Sequence, residues 1–448
     1  MKKTLTIVVC ALLTAAGAWA QNEPKRIELT DTERQLVEQN NDFAFRLFRK
    51  ARGDESCVLS PLSITYALGM LNNGAAGQTQ REICDVLGFG STGADGINNF
   101  CRKLLTEAPT LDKETKAEIA NTIYVNSGKG YELQQGFVDL ANQYYDAQPE
   151  ARDFYDGVTW QVINQWASDH TNGMIPQIFA HAGAFDSDAS SYLLNAIYFK
   201  GVWTNKFDKA NTHDETFDDT EMVPMMSQVT ELAYTENDMY QAVRLPYGNG
   251  AYVMTVFLPR EGKTIDDVVG QMNGSNWQFQ HQGYYQVDLK LPRFKTAMDL
   301  PLVEVMSELG MPTAFTYGAA EFPHFGNRDV FIGNMFQKAV INLDEEGTEA
   351  AAVTVIEVTE NAAMTREAAF HANRPFFYII SEHSTGAIFF MGQYMGSGVA
   401  KGNTDGIGSL IPTPSTADGK SIYDLQGRRL MSRPAKGIYV RDGRKVIR

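Results

Sequence analysis

Residues 344–360, DEEGTEAAAVTVIEVTE, join two halves that ask for different surroundings. The first half, Asp344, Glu345, Glu346 and Gly347, holds three carboxylates and a glycine, a composition expected in solvent. From Thr348 onward, Thr348, Ala350, Ala352, Thr354, Ile356 and Val358 share one face at a period of two, small residues first and branched apolar ones after. Such a face suits a strand inside a sheet. The residues that follow, 359–370 (TENAAMTREAAF), show no clear strand or helix period and carry three charges, so the strand-like run leads into what reads as an exposed loop.

The neighbouring sequence gives this conflict a meaning. EEGTEAAAVTV, followed at 370–393 by FHANRPFFYIISEHSTGAIFFMGQ, resembles the hinge, mobile loop and C-terminal strands of the serpins, the serine-protease-inhibitor family. Other stretches resemble the same family in the same order. VLSPLSITYALGMLNNGAAGQT (58–79) is similar to the segment whose Ser-Pro helix start lies beneath the point where the central sheet parts. INQWASDHTNGMIPQIF (163–179) resembles the helix lying across that sheet. In SYLLNAIYFKGVWTNKF (191–207), Asn195 and Trp203 match positions in the third strand of the sheet, which borders the gap where the loop inserts. VDLKLPRFK from Val287 and SELGMPTAF from Ser307 extend the likeness, which spans about residues 30–396.

The resemblance implies an α+β fold with three β-sheets, eight to nine helices and an exposed reactive-centre loop that inserts into the central sheet. It implies a hinge at Glu345, Gly347, Thr348, Glu349, Ala350, Ala351 and Ala352, and a sheet-opening region at Ser60, Ser63, Asn195, Trp203 and Gln337. At position 337 serpins usually carry a histidine that hydrogen-bonds the asparagine matched by Asn195. Glutamine can donate and accept in the same way, so a clasp without pH sensitivity is expected.

The implied mechanism is a race. A protease takes the loop as substrate and forms an acyl-enzyme; the freed hinge enters the sheet and drags the tethered protease to a distorted state before water can release it. The hinge is small and free of proline, which would remove a ladder donor from a central strand. That composition favours an inhibitor over a non-inhibitory binding or chaperone-like serpin. Counting forward from Gly347 at the family spacing reaches Asn361, and counting back from Pro375 reaches Met364, so the loop is three residues longer than the common form. The reactive bond is placed first at Met364-Thr365, then after Ala363, then at Arg366. Ala363 and Met364 suit elastase- or chymotrypsin-like serine proteases, and Arg366 suits trypsin-like ones; a cysteine protease trapped as a thioester is also open.

The ends carry separate signals. Lys2 and Lys3 precede an apolar run and Ala18-Trp19-Ala20, the pattern of a signal peptide over residues 1–20, with the mature chain secreted, periplasmic or on the cell surface. Loss of the two leader lysines takes the net charge from −15 to −17, and because residues 419–448 hold nine Lys/Arg against two Asp, the body carries −24. An acidic body argues against nucleic acid as a partner. Residues 397–420 are rich in Gly, Ser, Thr and Pro and read as a linker after a domain ending at 396. Residues 421–448 read as short strands, with Asp442-Gly443 as a hairpin turn. They resemble the YDLxGR…KGIY…GKKV ends of secreted Bacteroidetes proteins, a possible sorting signal beside the plainer reading of a cationic β-extension.

Thr30-x-x-Glu33 is a capping box opening a helix through Arg52, and Ser60-Pro61 caps a second that Asn73-Gly74 ends. Gly88-Phe-Gly-Ser-Thr-Gly93 matches GxGxxG, but the run before it is helical and Ala94-Asp95-Gly96 after it reads as loop, the wrong context for a nucleotide. No HExxH, CxxC, GxSxG or P-loop occurs, so no enzyme, cofactor or metal is expected. Three cysteines, Cys57, Cys84 and Cys101, make no disulfide framework, and at least one thiol is free or pairs between chains. No later stretch reaches the ~18 apolar residues of a membrane helix. A monomer is expected.

Overall fold

The computed structural model describes residues 25–279, 284–348 and 366–396, together with four short strands near the C-terminus. The signal-peptide, linker and reactive-bond assignments at 1–20, 397–420 and 361–365 lie outside the described residues, as do hinge residues Glu349 to Ala352.

In chain order the elements are α1 Asp31–Ala51, β1 Cys57–Leu59, α2 Pro61–Asn72, α3 Gly77–Leu87, α4 Gly93–Glu107, β2 Lys116–Asn126, α5 Gln135–Tyr145, β3 Glu150–Arg152, α6 Thr159–His170 and β4 Ser191–Val202. A run richer in strands follows: β5 His213–Phe217, β6 Glu221–Glu236, β7 Tyr240–Tyr247, β8 Tyr252–Pro259, α7 Ile265–Val269, β9 Tyr284–Pro292, β10 Phe294–Pro301 and α8 Val303–Leu309. Last come β11 Met335–Asp344, β12 Gly347–Thr348, β13 Arg366–His371, β14 Phe376–Glu382 and β15 Ile388–Tyr394.

Local chemistry sets the helix starts. Thr30 accepts from the Glu33 amide while the Glu33 side chain accepts from the Thr30 amide, closing the capping box of α1. Ser60 caps α2 by accepting from the Ser63 amide, with Pro61 at the first helical position. All of α2 is buried, not one face of it, because it runs through the core with sheet strands on one side and α1, α3, α4 and α5 around the rest.

Eight α-helices and three sheets are present among the described residues, an α+β architecture. One sheet has six strands in the order β10-β11-β12-β4-β2-β3. Its inner strands read as near-continuous hydrophobic runs because both faces are covered. On one face lies α2, on the other α6, whose Ile163 packs with Tyr124, Phe154, Phe179, Tyr192 and Leu194 in a second, aromatic core. A second sheet runs unbroken through nine strands, because the long β6 pairs with β5 and β9 over most of its length and with β7 at its C-terminal end. It is in effect two sheets sharing one strand. The third sheet is the four-stranded one near the C-terminus, formed by β16 Ile422–Tyr423, β17 Arg429–Leu430, β18 Ile438–Arg441 and β19 Arg444–Ile447, with β18 and β19 paired antiparallel; the turn expected at Asp442-Gly443 lies outside the described residues. The chain divides into two compact units, residues 1–400 and 401–448.

Three local expectations are corrected. Ala94, Asp95 and Gly96 are not loop: α4 begins at Gly93, so the GxGxxG stretch joins two helices and lacks the preceding strand a dinucleotide loop needs. The segment expected to be exposed through Phe370 is not all loop: from Arg366 it forms β13, parallel to β9, with Phe370 buried. The charges at 366 and 367 hid that strand because its first two residues, on alternate faces, are both exposed. The third correction concerns the carboxylates at 344–346 and belongs to the site.

Cys57, Cys84 and Cys101 are all free and buried, and burial pushes the Cys57 thiol up to about 11. Among the described residues no helix is long and apolar enough to cross a membrane, and no His/Cys/Asp/Glu group could hold a metal ion.

Candidate functional site: a parted sheet with the hinge in the gap

β4 and β11 are parallel neighbours at one end only. Met335 to Lys338 lie opposite Leu193 to Ala196 in register. Beyond them the two strands separate, and β12 occupies the space at the far end, antiparallel to both: Leu343 faces Thr348 and Asp344 faces Gly347 on one side, while Val202 faces Gly347 and Gly201 faces Thr348 on the other. Since paired strands lie about 4.8 Å apart, β4 and β11 diverge from about one strand spacing to about two. Between the two ends, residues 339–342 and 197–200 have no ladder joining them among the described residues. A strand continuing β12 into this gap would be antiparallel to both neighbours, and would have to split the paired end.

The paired end is held by amide side chains. Gln337 and Asn195 are register partners, and Gln337 Nε2 donates to Asn195 Oδ1 at 3.1 Å and to the Ser60 carbonyl at 2.9 Å. Gln337 Oε1 accepts from the Ser60 amide at 2.9 Å. Asn195 Nδ2 donates to the Ser63 carbonyl at 3.0 Å and to Asn121 Oδ1 at 2.6 Å, and the Ser63 hydroxyl donates to Asn195 Oδ1. Ser60, Ser63, Asn121, Asn195 and Gln337 are all buried. The cap of α2 is thereby tied to three adjacent strands. Asn121 is the member that sequence reading missed; its sign was an asparagine on an otherwise apolar strand face, register partner to Asn195.

At the open end Glu345 is buried and Asp344 and Glu346 are half-buried, against the expectation of solvent. The Glu345 side chain is 3% exposed and pairs with Arg293 at 3.2 Å while accepting from the Thr212 hydroxyl at 2.8 Å. Glu346 meets Lys209 at 3.2 Å and Lys206 at 3.7 Å, and its carboxylate raises the Lys209 ammonium above its usual value. Asp344 Oδ1 accepts from the Glu346 and Gly347 amides, turning the chain back on itself. Trp203, just after β4, donates its indole N–H to the Asp344 carbonyl at 3.0 Å and its amide to the Glu346 carbonyl at 2.8 Å. Buried charge is tolerated here because each carboxylate has a cationic or hydrogen-bonding partner. Gly347 has φ +150°, and a Cβ there would run into the Gly201 carbonyl.

Thr348 is seated between the strands, 1% exposed, with Oγ1 2.8 Å from the Tyr247 hydroxyl. Burial pushes the Tyr247 phenol far above its usual value, against the Thr348 hydrogen bond, so it stays neutral. Trp203 stacks on Tyr247 with ring centroids 4.4 Å apart. Arg366, the remaining described candidate for the reactive bond, is the first residue of β13, paired with Tyr285 and with its guanidinium 5.8 Å from that ring.

A parted six-stranded sheet with an antiparallel strand already started in the gap is joined by a family match: the model of the family described as "Serpin (serine protease inhibitor)" covers residues 38–396. The chain belongs to the serpin family. Serpins are in the main protease inhibitors rather than catalysts. Among curated relatives, this serpin is 31% identical over 368 residues to neuroserpin of Gallus gallus, covering 78% of this chain and 88% of that protein. It is 31% identical over 374 residues to an uncharacterised serpin-like protein of Thermococcus kodakarensis, covering 81% and 86%. Among solved structures, native tengpin, a thermophilic serpin, aligns with a TM-score of 0.73 at 27% identity over 83% of this chain and 96% of that one. Thyroxine-binding globulin in complex with thyroxine aligns with a TM-score of 0.70 at 27% identity, over 80% and 98%.

Proposed function

We propose that this serpin is a secreted suicide-substrate inhibitor of serine proteases, with an elastase- or chymotrypsin-like target. The observation that carries the reading is the position of Thr348: the first inward residue of the hinge already makes both ladders, and the next residues on its face at a period of two, Ala350 and Ala352, offer no bulk or charge to stop the strand from continuing, with Glu349 on the alternate face.

The protease serine adds to the carbonyl of the reactive residue, its proton passes to the leaving amine through the protease's own base, and the chain parts with the N-terminal side held as an ester. The freed strand then runs into the gap between β4 and β11, exchanging the short parallel ladder for two antiparallel ones. The Gln337–Asn195 contact must open as it passes. The protease, still esterified, travels with the strand end. The unreacted fold is thus protected by a barrier rather than by being the most stable arrangement.

The bond after Arg366 begins the β13–β9 ladder, whereas a protease cleft needs an extended segment free of other pairing; this favours Met364-Thr365, with Ala363 and Asn361 behind it. The test is incubation with elastase-, chymotrypsin- and trypsin-like enzymes and a cysteine protease. An SDS-stable complex, with a released C-terminal fragment starting at Met364 or Thr365, is the expected result. Cleavage of the loop by every enzyme without a complex would refute inhibition and favour a non-inhibitory carrier, the kind of protein that thyroxine-binding globulin is named for. Fragment starts only outside residues 362–367 would overturn the bond assignment alone.

A further inference from the structure

Across the parted end of the six-stranded sheet, the register sets Lys116 of β2 opposite Lys200 of β4, and Lys295 of β10 opposite Asn342 of β11. All four lie on the face that carries α6 further along. Steps of two residues lead from Lys116 to Tyr124, from Lys200 to Leu194 and Tyr192, and from Asn342 to Phe336, which all pack in the aromatic cluster around Ile163. Lys116 and Lys295 are exposed, while Lys200 and Asn342 are half-buried. Like charges directly opposite in a ladder repel, yet among the described residues none of these three ammonium groups has a carboxylate partner. Lys338, on the same face of β11, is by contrast paired with Asp299 at 2.9 Å. Glu118 belongs to the next row, opposite Tyr198.

The lysine row has a place for one more residue. Thr348 faces Gly201 on one side and Leu343 on the other, so the same antiparallel register carried one residue further brings position 349 between Lys200 and Asn342. Thr348 is turned inward against Tyr247, which puts position 349 on the outward face with the lysines. The residue there is Glu349, the first of the hinge beyond the described residues. We propose that Lys200, flanked by Lys116 and Lys295, is the receiving site for the Glu349 carboxylate as the hinge enters the sheet, and that it acts as a positioning residue for insertion. The inference rests on the insertion reading given above. Glu349 then stands one strand spacing, about 4.8 Å, from Lys200 and two from the outer lysines, close enough for all three to attract it. Repulsion between Lys116 and Lys200 is carried by the waiting form and relieved only along the path to the inserted one. That favours trapping over release.

The parent, Lys200→Gln, Lys200→Glu, Glu349→Lys and the exchange Lys200→Glu with Glu349→Lys are compared with one protease, reading the ratio of cleaved protein to covalent complex. Lys200→Gln should raise the ratio about two- to fivefold and each reversal about tenfold, with the effects shrinking at high salt. The exchange should lie closer to the parent than either reversal alone. A second readout needs no trapping: the unfolding midpoint of each protein before and after limited proteolysis of the loop. Lys200→Gln should leave the uncut midpoint unchanged or higher, because it removes the repulsion with Lys116, and should lower that of the cut form. A merely structural lysine would move both in the same direction. Ratios and cut-form midpoints equal to the parent's, or reversals that add without rescue, overturn the receiving site. Absence of any complex with the parent, the cut-form difference remaining, refutes the inhibitory reading alone. Absence of a midpoint rise on cutting the parent shows that residue 349 does not enter the sheet, and overturns the site whatever the protease does.

Discussion

The Tyr247 hydroxyl and Thr348 Oγ1 lie 2.8 Å apart in a fully enclosed contact, joining the turn end of β7 to the first inward residue of the hinge. Because Thr348 is already in the gap before any cleavage, its side chain must be compatible with burial in both the waiting and the inserted arrangements.

Thr348→Arg should therefore turn an inhibitor into a substrate. Arginine cannot keep the enclosed seat that Thr348 holds beside Tyr247, so residues 347–348 must leave the gap, and insertion would then have to bury an unpaired charge between β4 and β11 at a cost of several kcal/mol. Even about 3 kcal/mol on that barrier slows insertion by about two orders of magnitude. The ratio of cleaved protein to covalent complex, measured with one protease, should rise by about that factor while cleavage continues. Trapping as efficient as the parent's would show that this segment does not insert. Tyr247→Phe serves as a mild control, losing one hydrogen bond worth about 1 kcal/mol and keeping its shape.

Glu345→Lys should loosen the open end of the sheet. The substitution sets a cation against Arg293 in a position 3% exposed, and removes the acceptor of the Thr212 hydroxyl. Because the Arg293 side chain is about half exposed, the cost falls below the roughly 3–5 kcal/mol of breaking a fully buried pair. The first thermal transition should fall, and on warming the unpaired edges of β4 and β11 should accept strands from other copies, seen as oligomers in size-exclusion chromatography. A monomer with unchanged midpoint after the same heating would count against the enclosed Glu345.

Gln337→His should introduce a pH dependence that the parent lacks at this position. A buried imidazole among neutral partners resists protonation, so its folded pKa falls below the unfolded ~6.5. The unfolded chain then binds the proton more readily, and stability present above about pH 6.5 is lost as pH falls toward the folded pKa. Unfolding midpoints of parent and variant measured between pH 5 and 8 should diverge only on the acid side. Parallel curves across that range would mean that position 337 stays wet.

Removal of residues 401–448 should leave inhibition intact and change where the protein ends up in its source cell. The cut belongs after the body's last contacts, since the Gly396 carbonyl accepts from the Ser56 hydroxyl at 2.9 Å and the Met395 amide donates back to it at 2.9 Å. Fractionation of cells carrying the truncated chain gives the location, and complex formation gives the activity. Lost inhibition with unchanged location would show the C-terminal unit to be part of the inhibitory body.

Much of this protein is written in short-range signals. The Thr30/Glu33 capping box and the Ser60-Pro61 helix start act within a few residues, where composition alone decides the backbone. The proposed hinge rests on the same kind of signal: Thr348 and Ala350 to Ala352 are small and no proline interrupts them. Its surroundings carry no such signal. Asp344, Glu345 and Glu346 look like solvent residues until Trp203, Lys206, Lys209, Thr212 and Arg293 arrive from two other parts of the chain to bury Glu345 and partly cover the other two. Gln337 becomes the clasp of the sheet only because Asn195 and the cap of α2 meet it there. A sequence fixes which backbone each segment prefers, but whether a charge is buried depends on the counter-charge brought by distant segments, and that pairing exists only once the sheets have packed.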